Sequence, residues 1–264
     1  MRAYGIILAA DVPSAYAVVS MAARVGTIVD GFKIGVATLL EAGIGILGRV
    51  RDLIEDRPLL VDLKVADIGF RAGKTWDGTN AKIIGSLAGS GATHVTVHGF
   101  PGPVSVAEAK AAGDDAGLGV LLLPLMSHAG ASLFFGSPVD RGRVLEETLR
   151  SGLAPVFPDQ TPCADVTGAI LMLGEALGVE GYIGPATRPD DLRRYRSATR
   201  KPIWCPGFGR QDRLGRDLEA QFRDWAAIVG PASAAIVGSA IFKAPDPEAA
   251  ATEIVEMRDN AVSW

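Results

Sequence analysis

Short apolar runs, each closed by glycine, proline or a polar residue, recur along the chain. They span Tyr4–Ala10, Ile28–Val36, Leu59–Leu63, Thr93–His98, Leu118–Met126, Gly181–Ile183, Pro202–Cys205 and Ser233–Val237. Several are apolar throughout rather than alternating, the pattern of strands covered on both faces. Between them lie stretches with helical spacing: Ala15–Arg24, Thr38–Ile54, Asn80–Ala88, Ser105–Ala112, Gly168–Leu177, Asp190–Arg196, Leu214–Ile228 and Pro247–Met257. Pro13 and Ser14 form a turn and cap signal ahead of the first, and Pro189 and Pro247 stand where helices begin. Eight strands alternating with helices predict an α/β fold with a parallel sheet, most simply a closed (β/α)8 TIM barrel forming a single domain over residues 1–264.

One interval breaks the rhythm. The fifth strand ends near Met126 and the sixth begins near Gly181, a longer gap than any other. It holds a predicted helix at Asp140–Arg150 and a loop, Ser151–Pro162, with three prolines. Residues 137–165 are therefore expected to be an insertion after strand five rather than a second domain.

Composition narrows the function classes. With 48 % hydrophobic and 21 % charged residues, the chain is not disordered. A net charge of −4 without a basic run argues against nucleic-acid binding, which needs many phosphate-neutralising cations. Three uncharged stretches, 83–107, 116–139 and 225–242, are each broken by glycine and proline, so none predicts a membrane span. The N-terminus lacks a signal-peptide layout, and the expected location is cytoplasmic. Cys163 and Cys205 are too few for a disulfide scaffold or a four-ligand zinc site, and Cys205 reads as a core thiol. His94 reads as a packed strand residue, and with His98 and His128 it makes no metal set. Only seven of the 26 basic residues are lysines, and two of them, Lys33 and Lys64, interrupt apolar runs where an unpaired charge is costly.

Barrels of this kind carry their chemistry at the C-terminal ends of the strands. The polar residues there are Asp11 after strand one, Lys33 on strand two, Asp62, Lys64 and Asp67 at strand three, His98 after strand four, and Ser127 and His128 after strand five. Pro206-Gly207-Phe208-Gly209 and Gly238-Ser239 follow strands seven and eight, where backbone N–H groups often hold a phosphate. Asp62 and Lys64 are two apart and share a strand face. Lys33, on the adjacent strand, completes an array of alternating charges. Spacing alone fits a rim ion-pair network as well as it fits a catalytic cluster.

At these positions the chain resembles the orotidine 5′-phosphate decarboxylase family, in its archaeal-type branch. The family's Asp-x-Lys-x-x-Asp signature reads Asp62-Leu63-Lys64-Val65-Ala66-Asp67 here. Six further segments follow in register: Asp11, Phe32–Gly35, His98–Gly102, Met126–His128, Gly184–Pro189 and Pro206–Gln211. The resemblance implies decarboxylation of orotidine 5′-monophosphate to uridine 5′-monophosphate, without cofactor or metal, in a homodimer. It implies that Lys33, Asp62, Lys64 and Asp67 form a charged tetrad, with Lys64 protonating C6 as carbon dioxide leaves. Asp67 and Ile68 would reach the partner subunit's site. Asp11 and Lys33 would hold the ribose, Ser127 the pyrimidine, and Gln211 would bridge pyrimidine and phosphate, with Pro206 and Gly238 beside them. The expected partner is thus a small nucleotide.

The chain departs from the family in three respects. Ser239 stands where an arginine grips the phosphate, and the candidates to replace that cation are Arg71 and Arg210. The run Asp67-Ile68-Gly69-Phe70-Arg71 lacks the proline and threonine that usually follow Asp-Ile. The loops after strand five and after Gln211 are longer. Gly69 also makes the chain similar to hexulose-phosphate synthase and keto-gulonate-phosphate decarboxylase, which use magnesium with an acidic ligand on strand two, where this chain has Lys33. A related reaction on another phosphorylated substrate, or nucleotide binding without chemistry, are the alternatives.

Overall fold

In the computed structural model, residues 3–128, 130–150, 164–209 and 215–263 are described. The first half runs β1 (Gly5–Ala9), α1 (Ala15–Val25), β2 (Gly31–Gly35), α2 (Val36–Ala42), α3 (Ile46–Ile54) and β3 (Leu59–Val65). A small hairpin of β4 (Arg71–Ala72) and β5 (Thr75–Trp76) leads to α4 (Thr79–Gly85), β6 (His94–His98), α5 (Pro103–Ala116) and β7 (Gly119–Leu123). Three helices follow: α6 (Ser132–Phe135), α7 (Arg141–Arg150) and α8 (Val166–Leu177). The remainder is β8 (Gly181–Ile183), α9 (Pro189–Ala198), β9 (Ile203–Pro206), α10 (Leu218–Ile228), β10 (Ala234–Val237), α11 (Ser239–Phe242) and α12 (Pro247–Val262). Apart from the hairpin, the strands close into a parallel barrel in the order β1-β10-β9-β8-β7-β6-β3-β2. The expected (β/α)8 barrel is the fold.

The continuous apolar runs follow from this closure. Along β1, Ile6 and Leu8 pack outward under the helices, while Ile7 joins Leu60, Leu121, Ile183, Trp204 and Ile236 inside the barrel. Alternate residues face opposite sides, yet both sides are covered, so polar alternation vanishes. Each fully buried Val, Leu or Ile contributes about 1.5–3 kcal/mol of transfer free energy. That interior cluster is the floor on which the site rests.

Helix boundaries follow local chemistry. Ser14, Asp165, Asp217 and Asp246 cap α1, α8, α10 and α12 with side-chain acceptors, and Pro189 and Pro247 occupy first-turn positions. Two expectations need correction. The single helix over Thr38–Ile54 is two, because Gly43 adopts φ +68° and, with Ile44 and Gly45, ends α2 before α3 begins. The helix expected from Leu214 begins at Leu218, where Asp217 supplies the cap.

Of the expected insertion, residues 137–150 and 164–165 are described; the loop Ser151–Pro162 and Cys163 lie outside the described residues. The segment's two ends lie side by side. Val139 N donates to Ala164 O (3.2 Å), Val166 N donates to Ser137 O (3.1 Å), and Pro138 bridges Asp165.

Candidate active site

The charged residues of the second and third barrel strands meet at the C-terminal end of the sheet. β2 and β3 pair with Lys33 opposite Leu60 and Gly35 opposite Asp62. Lys33 Nζ donates to Asp62 Oδ2 (2.9 Å) and to Asp11 Oδ2 (2.5 Å). Lys64 Nζ donates to Asp62 Oδ1 (2.8 Å). Asp62 therefore holds one ammonium on each oxygen, and the array runs Asp11–Lys33–Asp62–Lys64. Gly35 makes this possible, since a Cβ there would collide with the Asp11 carboxylate.

Lys64 does not reach Asp62 by regular strand alternation. It sits at φ +50°, a left-handed conformation that costs a non-glycine residue about 1–2 kcal/mol. The β3–β6 register slips between Val61 and Val65 around it. Thr96 on β6 stabilises the irregularity. Its hydroxyl accepts from Lys64 N (2.8 Å) and donates to Asp62 Oδ1 (2.9 Å). One buried threonine thus fixes both the strained backbone and the central carboxylate.

Burial and charge act against each other in the array. Side-chain exposure is 7 % for Lys33, 12 % for Asp62 and 39 % for Lys64. Burial pulls the Lys33 pKa down, but Asp62 and Asp11 outweigh it and the net shift is upward. Burial pushes Asp62 up, yet Lys33 and Lys64 bring its carboxyl down to about 2. Both partners are therefore ionised across the neutral range. His98, at the end of β6, is driven down to about 4 by burial and by Lys64, so it is a neutral ring packed between Phe100 and Phe135. His94 is buried against Trp204, and burial likewise lowers it to about 4. Cys205 is a buried thiol pushed up to about 12.

Asp67 stands apart. Its carboxylate accepts from Ile68 N (2.7 Å) and, among the described residues, takes no part in the ion pairs of the array. Its backbone is clamped: Asn80 accepts from Asp67 N (3.0 Å) and donates to Asp67 O (2.9 Å), and Ser105 Oγ donates to the same carbonyl (2.6 Å). Gly69 permits the turn that follows, where a Cβ would strike the Val104 carbonyl. Beyond it, Glu108 accepts from Gly78 N and Phe70 N, tying both ends of the hairpin segment to α5.

The array forms one side of a cavity of about 430 Å³. Ser127, Pro206, Gly238 and Ser239 line it, as do Asp11, Lys33, Asp62 and Lys64. Ile68 and Arg71 do not; Arg71 lies on β4 with its guanidinium 5.4 Å from the Trp76 ring. Arg210 and Gln211 lie outside the described residues. Three contributors stand outside the site residues expected from the sequence. Thr96 reads as an ordinary strand residue, although a lone hydroxyl between Val95 and Val97 is its signal. Gly35 reads as a strand end. Lys243 lines the cavity from the turn after α11, four residues past Ser239, a spacing that puts both on one helix face.

The chain is similar to proteins of one family over most of its length. The profile of the orotidine 5′-phosphate decarboxylase / HUMPS family matches residues 5–254. The orotidine 5′-phosphate decarboxylase of Methanosphaera stadtmanae is 31 % identical over 253 residues, which cover 95 % of this chain and 95 % of that protein. Its counterpart in Methanosarcina mazei is 29 % identical over 253 residues, covering 95 % and 93 %. In fold, the chain is similar to the orotidine 5′-monophosphate decarboxylase of Methanocaldococcus jannaschii complexed with the inhibitor BMP. That likeness has a TM-score of 0.75 and 24 % identity, covering 97 % of this chain and 99 % of the other.

Proposed function

This chain belongs to the orotidine 5′-phosphate decarboxylase / HUMPS family, and from that premise we infer that it decarboxylates orotidine 5′-monophosphate to uridine 5′-monophosphate. It is a carbon–carbon lyase of pyrimidine nucleotide synthesis. The observation that carries this reading is the Asp11–Lys33–Asp62–Lys64 array on the cavity wall.

The reaction breaks the bond between C6 of the pyrimidine and the carboxylate carbon. Carbon dioxide leaves, the electron pair stays on C6, and a proton must reach that carbon. Lys64 is the donor in this reading. Its ammonium is fixed by Asp62, and a preorganised cation beside a developing carbanion lowers the barrier without reorganising at the moment of reaction. Proton transfer from the same nitrogen adds general-acid catalysis. Asp62 sits near the departing carboxylate and holds both lysines. Asp11 and Lys33 take ribose hydroxyls, Ser127 the pyrimidine, and Pro206, Gly238, Ser239, Arg210 and Gln211 belong to the nucleotide's far end.

The place of Lys33 supports this chemistry over the magnesium-dependent relatives. Its ammonium sits between the carboxylates of Asp11 and Asp62, where a divalent cation would need to displace it.

The same reading makes the enzyme a cytoplasmic homodimer, with Asp67 and Ile68 completing the partner's site. Support comes from exposure: Ile68 is 72 % and Phe70 54 % exposed, next in sequence to a clamped Asp67 that is unused in its own array. No helix among the described residues is long and apolar enough to cross a membrane. Residues 1–264 form one domain in this reading, with 137–165 an addition to the barrel.

The test is turnover of orotidine 5′-monophosphate by the purified protein, followed by ultraviolet absorbance with and without a chelator. Equal rates in both are expected. No turnover, or turnover that needs magnesium, overturns the reading.

A further inference from the structure

The charges of the array are paired with one another, so the array itself offers the nucleotide's phosphate no spare cation. Lys33 and Lys64 are both committed to Asp62, and Lys33 also to Asp11. The two carboxylates and two ammonium groups of the array cancel. A phosphate monoester entering the cavity brings close to two negative charges and needs a donor elsewhere.

Among the described residues, the guanidinium groups of Arg188 and Arg216 near the opposite rim are already engaged. Arg188 donates to the His128 carbonyl (2.9 Å) and pairs with Asp191 (3.5 Å). Arg216 pairs with Asp224 (2.7 Å) and reaches the Ala186 carbonyl. Neither lines the cavity, and Arg71 is on the hairpin by Trp76. Lys243 differs. Among the described residues it is the cavity-lining cation outside the array, and no carboxylate pairs with it.

Position strengthens the case. Lys243 N donates to Ser239 O (3.2 Å), which closes the last turn of α11. Lys243 is thus held one turn beyond Ser239, and both residues line the cavity. A lysine carries its charge on a four-carbon stem, so its ammonium can reach back over such a turn.

We propose that Lys243, with the Ser239 hydroxyl beside it, binds the substrate's phosphate and so moves the gripping cation four residues along the chain from Ser239. The inference rests on the nucleotide-decarboxylase reading and identifies its phosphate contact. The consequence is a grip of a different kind. A guanidinium makes two parallel hydrogen bonds to phosphate, whereas an ammonium acts as a point charge. Selectivity for the monophosphate over the free nucleoside comes from one flexible side chain.

Calorimetric titration with uridine 5′-monophosphate and with uridine tests this on the wild type and on Lys243→Ala, Lys243→Arg, Arg71→Ala and Arg210→Ala. Lys243→Ala is expected to weaken the monophosphate about 10- to 100-fold, as loss of a charge-assisted contact implies. Lys243→Arg retains most of the affinity, and Ser239→Arg placed in the Lys243→Ala background restores it. Uridine binding shifts less than the monophosphate's. Monophosphate affinity within twofold of wild type for Lys243→Ala, or a loss carried by Arg71→Ala or Arg210→Ala instead, overturns the inference. Turnover is scored separately. A chain that binds the monophosphate through Lys243 but decarboxylates nothing sustains this inference and overturns the catalytic reading.

Discussion

The two sides of the cavity are built on opposite principles. At the ends of β2 and β3, four charged side chains pair at 2.5–2.9 Å, a threonine fixes the centre, and a strained lysine backbone is held in place. At the ends of β9 and β10, the described wall is proline, glycine, two phenylalanines and one hydroxyl, with a single lysine on the turn after a short helix. The first side is over-determined and the second is sparse. Chemistry at a developing carbanion needs donors that do not move. Holding a remote phosphate needs charge, and a flexible charge suffices. Strain and ion pairing are therefore concentrated where the reaction is placed.

The comparison can be broken most severely on the charged side. Lys64→Ala should lower kcat for orotidine 5′-monophosphate by about 10⁴-fold or more, since one group supplies both electrostatic stabilisation and the proton. Asp62→Ala leaves the buried Lys33 with only Asp11. Breaking a buried pair this way costs about 3–5 kcal/mol, so a clear fall in the unfolding midpoint should accompany loss of turnover. Thr96→Val keeps shape but removes the hydroxyl from Asp62 and from Lys64 N. A cost of about 1–3 kcal/mol is expected in denaturant melts, with kcat falling while KM changes little.

The last effect is one of pH. His94 and His98 have folded-state pKa values near 4 against an ordinary 6.5, so the unfolded chain binds more protons between these values. Their contribution to stability is complete above pH 6.5 and is lost as pH falls towards 4. Asp62, ionised down to about 2, contributes its own loss only below its ordinary value of 3.8. Denaturant melts at pH 7, 5.5 and 4.5 should show a progressive decline, reduced in His94→Gln. A flat profile over that range would contradict the buried-histidine account.

The barrel was legible in the sequence because two-sided burial removes polar alternation, leaving runs such as Ile6–Leu8 and Leu121–Leu123 apolar without a break. The hairpin at Arg71–Trp76 was not, since two-residue strands are too short to show a period. The helix over Thr38–Ile54 misled because its apolar spacing persists across Gly43 and Gly45, and only the left-handed turn separates α2 from α3. At the site, the two-residue spacing of Asp62 and Lys64 predicted a shared side. Their contact is made through a bulge that the spacing does not reveal. Lys243 was hidden for another reason. A lysine ahead of Ala244-Pro245 reads as a solvated charge until the turn after α11 brings it to the cavity.

The central claim is that Lys64, held by Asp62, does the chemistry rather than the binding. The direct measurement pairs turnover of orotidine 5′-monophosphate with the affinity for uridine 5′-monophosphate in wild type and Lys64→Ala. The account predicts that turnover collapses by about 10⁴-fold while product affinity shifts by no more than about tenfold. Turnover surviving in Lys64→Ala, or falling only in step with affinity, would contradict it.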